Sequence, residues 1–241
     1  MATYLVVGAS SDVGHALVPL LLQAGHHVIG TGRDPARLAP LAELGGCSTL
    51  VGAHDASLLQ EALQLAGENG VDGVAHLIGS IALRPPHAMP VEAFEEVLST
   101  NLTSAFLTLS TLGKAMMRSG GGRMVFVSSV AGGLGLANHE AMAAAKGGLE
   151  AMARSAAATY ARRGLRINTV APSLTDTRMA SGLLRTEAAR EASANMVPTG
   201  RLNEANEVAE SIRWLLLDAP DGITGEVLHL DGGMGRIKMA G

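Results

Sequence analysis

The sequence predicts an α/β protein built on a doubly wound parallel sheet of seven strands with helices on both faces. Short apolar runs alternate with longer helical patterns along the chain, an order that is typical of βαβ units. These runs are continuous rather than interrupted by polar residues, which indicates strands covered on both faces. The chain has 241 residues, of which 47% are hydrophobic. This length and composition suit a single domain, residues 1–241, with a sizeable core.

The individual elements follow from the local pattern. The first helix begins in a glycine-rich turn and is stopped by Gly25, although Pro19 lies inside it. After the second strand, Asp34 is expected to cap a further helix. The predicted strands are 3–8, 27–32, 48–52, 71–79, 123–129, 165–172 and 225–233, and the predicted helices are 14–25, 57–66, 92–118, 138–163 and 204–217. This order is Rossmann-like, and we expect ligands at the carboxyl ends of the strands.

Composition limits the partners. The net charge of −4 comes without a block of like charges, which argues against nucleic acid or an anionic membrane surface as a partner. Cys47 is the only cysteine, so neither an intrachain disulfide nor a cysteine metal site is expected, and no other metal-ligand spacing occurs. No signal peptide and no apolar stretch of the roughly 18 residues that span a bilayer is found. We therefore expect a cytoplasmic protein that acts on a small molecule.

The turn between the first strand and the first helix has the small residues that let backbone N–H groups approach a diphosphate. A carboxylate at Asp12 is unfavourable there unless it turns to solvent. A tight turn without a ligand is the alternative interpretation. The predicted diphosphate-binding residues are Gly8, Ser10, Ser11, Val13 and Gly14.

Arg33 follows the second strand, where a rigid guanidinium can pair with a 2′-phosphate. The acid that would select NAD(H) at the strand end is absent, because Gly32 holds that place. This pattern favours NADP(H) over NAD(H), with an ordinary exposed arginine as the alternative.

Several motifs together resemble the short-chain dehydrogenase/reductase family. "VVGASSDVG" resembles its GxxxGxG, with Asp12 in place of the middle glycine. "NLTSAF" begins with Asn101, where the family has an asparagine in its fourth helix. "VFVSSVAG", "INTVAPSLTDT" and "ITGEVLHLDGG" resemble its serine strand, its NxxxPGxxxT and its C-terminal strand. The resemblance covers residues 3–234.

The resemblance implies hydride transfer between a nicotinamide and a substrate carbon, in an enzyme that is commonly a homotetramer. Ser129 would hydrogen-bond the substrate oxygen, Lys146 would bind the nicotinamide ribose, and Asn101 would hold a water of the proton relay. The other cofactor contacts that it implies are Ala53, Ile78, Gly79, Pro172 and Thr177.

The family's proton donor is missing. The tyrosine expected four residues before Lys146 is replaced by Met142, which has no proton to give and is expected to form an apolar wall of the substrate pocket. Enoyl-acyl-carrier-protein reductases, which this segment partly resembles, have their tyrosine seven residues before the lysine, where this chain has His139. Histidine can donate in either protonation state. Because His139, Met142 and Lys146 share one helix face, our hypothesis is that His139 is the donor, with Ser129 beside it. The alternative is that His139 is a residue at the start of the helix, in solvent or at a subunit contact.

Residues 173–201 are the one long irregular region and are expected to be a substrate lid, with Met179 as an apolar contact. The leading interpretation is an NAD(P)(H)-dependent oxidoreductase acting on a carbonyl or an activated alkene with an unusual proton donor. Retention of Ser129, Lys146 and Asn101 favours it. The alternative is a dinucleotide-binding regulatory or structural subunit without turnover, which Asp12 and Met142 favour.

Overall fold

A computed structural model describes residues 1–238. The strands are β1 Thr3–Val7, β2 His27–Gly32, β3 Cys47–Val51, β4 Gly73–His76, β5 Gly122–Val127, β6 Leu165–Pro172, β7 Thr175–Asp176, β8 Asn203–Glu204 and β9 Val227–Leu230. The α-helices are α1 Asp12–Gln23, α2 Pro35–Ala42, α3 Ala56–Ala66, α4 Val91–Leu98, α5 Ser104–Arg118, α6 Glu140–Tyr160, α7 Glu187–Asn195 and α8 Ala205–Leu217. The predicted α/β class is confirmed, and Asp34 caps α2 by accepting hydrogen bonds from Ala36 and Arg37.

Seven strands form one parallel sheet in the order β3-β2-β1-β4-β5-β6-β9. Strand order reverses between β1 and β4, which pair directly from Tyr4 opposite Gly73 to Val7 opposite His76. A crevice opens at such a switch point, outside the carboxyl ends of the strands. The sheet thus positions the ends of β1, β4 and β5 around one cleft.

Helices cover both faces of the sheet. On one face α1, α2 and α8 bury Leu17, Leu38 and Ile212 against the strands. On the other face α3, α5 and α6 bury Leu59, Leu112 and Leu149 around Phe126. The strands are thus buried on both sides, which explains their continuous apolar runs. Within residues 1–238, no helix combines the length and the apolarity that crossing a bilayer requires.

The long helical stretch predicted over 92–118 is confirmed, but it is not α-helical throughout. The helices α4 and α5 are joined without a break by a π-helical turn over Ser99–Thr103. The side-chain nitrogen of Asn101 donates to the Val97 carbonyl at 3.0 Å, in competition with the main-chain donors of the helix. Such turns are frequently found at functional sites, and this one places Asn101 completely inside the protein.

The region over 173–201 contains structure that the sequence did not predict. β7 pairs with β8 in a small parallel sheet, with Thr175 opposite Asn203 and Asp176 opposite Glu204. Two-residue strands are too short to produce a periodic pattern. The strand predicted over 225–233 shortens to β9, because residues 231–235 turn around the Asp231 carboxylate, which accepts hydrogen bonds from Gly233 and Gly235.

Candidate active site and cofactor cleft

Lys146 lies on α6 and is buried, with 5% of its surface exposed. Its ammonium Nζ donates to the Val127 carbonyl at the end of β5, at 2.8 Å. Burial lowers the pKa of Lys146 from 10.5 to about 8, and the charge of Glu150 partly opposes that shift. The side chain is therefore a partly dehydrated cation aimed at the carboxyl edge of the sheet, where a neutral ligand atom can accept from it.

Asn101 and Gly79 lie next to this lysine. A Cβ atom added to Gly79 would be 3.1 Å from Asn101 Oδ1 and 3.6 Å from Lys146 Nζ. Asn101 Oδ1 accepts from the Ser80 backbone nitrogen, and its Nδ2 donates to Ser80 Oγ and to the Val97 carbonyl. Both amide hydrogens are thus used, so only the oxygen retains capacity for a water. Sequence reasoning missed Ser80, which no spacing rule connects to Asn101.

Ser129 begins a short 3₁₀ turn over Val130–Gly132 that follows β5. Its hydroxyl oxygen accepts from the Ala131 backbone nitrogen at 3.2 Å. The hydroxyl hydrogen of Ser129 is not used by that contact, and it can be donated to a substrate oxygen.

His139 is the residue that precedes α6, so it lies at the cap and not inside the helix. Its Nδ1 lies 2.8 Å from the Ala137 carbonyl oxygen. A carbonyl can only accept, so Nδ1 must carry the hydrogen. Nε2 then donates only when the ring is doubly protonated. The expectation that His139 donates in either protonation state is therefore wrong for a substrate atom that lies next to Nε2, because the neutral ring has no hydrogen on that nitrogen.

Met142 is buried, with 5% exposed, in an apolar cluster with Val97, Ala141 and Ala145. Partly buried side chains from the segment before α4, including Met89, pack on this cluster. The position of the missing tyrosine is thus filled by close apolar packing.

The glycine loop has the geometry of a tight strand-to-helix turn. Gly8 has a φ of +86°, and a Cβ there would lie 3.3 Å from the Ile78 nitrogen. A Cβ at Gly14 would overlap the Ala9 carbonyl, so a larger residue does not fit. Ser11 caps α1 by accepting from the Gly14 nitrogen at 3.0 Å. The loop therefore presents the amino end of α1 toward the crevice.

Asp12 does not turn to solvent, although a carboxylate at this turn was expected to be unfavourable unless it did. One carboxylate oxygen accepts from the Arg37 guanidinium at 2.6 Å, and only 24% of each side chain is exposed. The other oxygen accepts from the backbone nitrogen of Arg178 in the lid, also at 2.6 Å. Arg37 additionally donates to the Ser10 carbonyl at 2.6 Å. The carboxylate is thus neutralised within the protein and connects the glycine loop to the lid.

The other predicted contacts lie around the same edge. Arg33 and Ala53 are exposed just after β2 and β3, and Val13 lies in the first turn of α1. Thr177 Oγ1 donates to the Thr175 carbonyl at 3.3 Å, and Pro172 ends β6. Met179, in the lid, is 48% exposed.

A buried polar network lies behind the cleft and was not predicted from the sequence. His76 Nδ1 lies 2.9 Å from Thr108 Oγ1, and its Nε2 lies 3.2 Å from Ser104 Oγ. His54 contacts the Ser104 carbonyl at 3.0 Å. Burial lowers the pKa of His76 well below its usual value, with smaller effects from His54 and Lys146. The ring is thus neutral in the folded protein.

These residues fit a nicotinamide dinucleotide. The Lys146 ammonium has three hydrogens, and one of them is used on Val127, which leaves donors for ribose hydroxyls. Gly79 places no side chain between Asn101 and Lys146, where an added Cβ atom would contact both. The glycine loop offers a helix amino end for a diphosphate. The fold and the site define a dinucleotide-binding oxidoreductase.

Comparisons with known proteins agree with the assignment to the dinucleotide-binding oxidoreductases. A family model described as enoyl-(acyl carrier protein) reductase matches residues 8–235. The chain is 32% identical over 235 residues to 3-oxoacyl-(acyl-carrier-protein) reductase FabG of Vibrio harveyi, covering 95% of this chain and 96% of that protein. This chain therefore belongs to the short-chain dehydrogenase/reductase family, and it is an NAD(P)-dependent oxidoreductase.

Solved structures give the same result. An oxidoreductase of this family from Burkholderia thailandensis has a TM-score of 0.86 at 32% identity, covering 97% of this chain and 92% of that one. A candidate NAD(P)-dependent gluconate 5-dehydrogenase from Beutenbergia cavernae, with NADP bound at low occupancy, has a TM-score of 0.88 at 29% identity, covering 97% and 96%. The alternative of a subunit without turnover is not favoured, because these relatives are described as oxidoreductases.

Proposed function

We propose that this protein is an NADP(H)-dependent reductase of small molecules. In each substrate, a carbonyl group activates the carbon atom that receives the hydride. The observation that carries this proposal is the buried Lys146 ammonium, held by Val127 at the carboxyl edge of the sheet, where Gly79 lies so close that an added Cβ atom would be 3.6 Å from it. NADP(H), when bound, would supply the hydride. The residues of this chain would bind and orient the dinucleotide and the substrate oxygen.

Each polar group then has a distinct role. Ser129 donates its free hydroxyl hydrogen to the substrate oxygen, and Lys146 donates to the ribose hydroxyls of the cofactor. Asn101 is held by Ser80 and keeps the wall beside Lys146 in place. His139, when doubly protonated, supplies a second donor from Nε2. Two donors on one oxygen stabilise the negative charge that develops there.

The absence of a tyrosine favours activated alkenes over simple ketones. Ketone reduction produces an alkoxide, which needs a proton at once, whereas hydride addition to an enone or enoyl thioester produces an enolate. An enolate needs hydrogen-bond donors on its oxygen more than a strong acid. Met142 cannot provide that acid. The Vibrio harveyi relative is described as a 3-oxoacyl reductase, so an oxoacyl thioester belongs in the comparison.

The test is a panel of a ketone, an enone, a 3-oxoacyl thioester and an enoyl thioester, each followed by NADPH oxidation. We expect the enone or the enoyl thioester to be reduced fastest. Faster reduction of the ketone or the oxoacyl thioester would contradict the preference. No reduction of any of the four, together with no binding of NADPH or NADH by calorimetry, would contradict the proposed function itself.

The preference for NADP(H) rests on Arg33, which is exposed directly after β2, and on Gly32, which offers no acid to a ribose 2′-hydroxyl. Removing one charged hydrogen-bond partner costs about 1.5–3 kcal/mol. We expect Arg33→Ala to weaken NADPH binding by roughly tenfold to a hundredfold, with NADH binding unchanged. Arg162→Ala, which removes an exposed arginine at the end of α6, is the matched control. Equal loss for NADPH and NADH would contradict the assignment.

We also propose a homotetramer in the cytoplasm. Phe106 on α5 is 57% exposed, and an exposed aromatic side chain on a helix rich in small residues suits packing against another subunit. Analytical ultracentrifugation of the wild type and of Phe106→Glu tests the assembly. A monomeric wild type would contradict it.

A further inference from the structure

Glu150 is a carboxylate buried in the core beside the candidate active site. It is 7% exposed and lies on α6, four residues after Lys146. Residues four apart share one helix face, so both side chains point toward the end of β5. Ser128 Oγ donates to Glu150 Oε1 at 2.6 Å. A buried carboxylate is costly unless it is hydrogen-bonded or balanced by charge, so its presence here requires an explanation.

The turn that carries Ser129 is folded against this carboxylate. A Cβ added to Gly132 would lie 2.6 Å from Glu150 Oε1 and 3.1 Å from Ser128 Oγ, so the backbone of the turn approaches the acid closely. Val127, whose carbonyl accepts from Lys146, immediately precedes Ser128. Glu150 therefore contacts both ends of the segment that presents Ser129.

Glu150 also acts on the lysine through its charge. The charge of Glu150, on the same helix, raises the pKa of Lys146 against the lowering by burial. Lys146 and Glu150 do not form a direct ion pair within 4.0 Å among the described contacts. The acid therefore balances the charge of the lysine at a distance while the ammonium stays free to bind.

We propose that Glu150 is a positioning residue of this site. Its carboxylate stabilises the Ser128–Gly132 turn by accepting a hydrogen bond from Ser128, and its negative charge stabilises the ammonium form of Lys146. The inference builds on the proposed function, because it assigns Glu150 a role through Lys146 and Ser129. Neither half of the role requires contact with the cofactor or the substrate. Both can be measured in the protein alone.

The proposed electrostatic effect of Glu150 on Lys146 is tested by NMR titration of protein labelled at the ε-carbon of lysine, without cofactor or substrate. The chain has three lysines, Lys114, Lys146 and Lys238, and the Lys146 signal is assigned by its absence from Lys146→Met. We expect Glu150→Gln to lower the pKa of Lys146, because the amide retains the shape but not the charge. Glu140→Gln removes an exposed acid from the same helix and should leave that pKa unchanged. An unchanged pKa in Glu150→Gln would overturn the proposal.

The proposed stabilisation of the turn by the Ser128–Glu150 hydrogen bond is tested by hydrogen exchange of the backbone amides of residues 128–134. Ser128→Ala removes the donor, so the amides of Gly132 and Gly133, which donate to Ser129 and Val130 in this turn, should exchange faster. Glu150→Gln should exchange like the wild type, because the amide oxygen still accepts from Ser128. Unchanged exchange in Ser128→Ala would overturn the proposal even if Glu150→Gln folded too poorly to titrate. Failure of NADPH binding would leave both measurements intact, so the proposed function and this inference can fail separately.

Discussion

The carboxylate of Asp12 accepts a hydrogen bond of 2.6 Å from the backbone nitrogen of Arg178, which joins two residues 166 positions apart in the chain. The first belongs to the glycine loop and the second to the segment 173–201, which is expected to be a lid. Because Arg37 pairs with the other carboxylate oxygen, Asp12 contacts this segment and a neighbouring helix at once. The segment is therefore joined to the loop expected to bind the diphosphate.

Replacement of Asp12 should loosen that connection. We expect Asp12→Asn to bind NADPH about tenfold more tightly, because the positive charge of Arg37 is then no longer neutralised near the expected diphosphate site. Hydrogen exchange at the lid around Arg178 should also become faster. The measurements are calorimetry and exchange mass spectrometry, with Asp218→Asn, which breaks an exposed pair with Arg213, as the control. Weaker NADPH binding in Asp12→Asn would mean that the carboxylate assists the cofactor site.

The buried lysine should make stability depend on pH. The pKa of Lys146 is lowered from 10.5 to about 8 in the folded protein, so between these values the unfolded chain binds a proton that the folded chain lacks. Stability from this group therefore rises with pH across that window. We expect Lys146→Met to be more stable than the wild type by up to roughly 3 kcal/mol below pH 8, with the difference shrinking toward pH 10. Chemical denaturation at several pH values measures it.

The control for this prediction is Lys114→Met, at an exposed lysine of α5. Its unfolding free energy should differ from that of the wild type by a constant amount over the same pH range. A constant difference for Lys146→Met as well would show that the burial of the charge has no energetic consequence.

Restoring the missing tyrosine should change which substrates react. We expect Met142→Tyr to raise ketone reduction by about 10²-fold or more, with little change for the enone, which does not depend on that acid. The larger ring should also lower the unfolding free energy by about 1–3 kcal/mol, because Met142 is closely packed. Met142→Phe, which has the ring without the hydroxyl, is the matched control for activity. A similar gain in both variants would attribute the effect to pocket shape.

The role of His139 as a donor is tested by removing its ring. Because Nδ1 donates to Ala137, only Nε2 remains to meet a substrate oxygen. We expect His139→Ala to lower turnover of the enone by about 10²-fold, measured as NADPH oxidation. His27→Ala is the control, since His27 also contacts a backbone carbonyl, that of Gly46, but lies at the amino end of β2. Turnover in His139→Ala equal to that of the wild type would exclude His139 as the donor.

Most of the fold could be predicted from the sequence, because the patterns that indicate strands and helix caps are local. Continuous apolar runs marked all seven strands of the main sheet, and the cap at Asp34 follows from its position before Pro35. The family was also recognised correctly, since its motifs lie within short segments. The π-helical turn around Asn101 was not predicted, because the side-chain hydrogen bonds of Asn101 to Val97 and to the distant Ser80 leave no periodic pattern in the sequence.

By itself, the sequence determined the doubly wound sheet, the glycine turn and the replacement of tyrosine by Met142, because periodicity, turn chemistry and motif spacing are properties of neighbouring residues. Only the tertiary structure decided how the charged and polar groups of the site are paired. Asp12 accepts a hydrogen bond from the backbone nitrogen of Arg178, and Ser128 donates one to Glu150, which lies 22 positions further along the chain. Partners so far apart come together only when the sheet and α6 pack, and the burial that results lowers the pKa of Lys146.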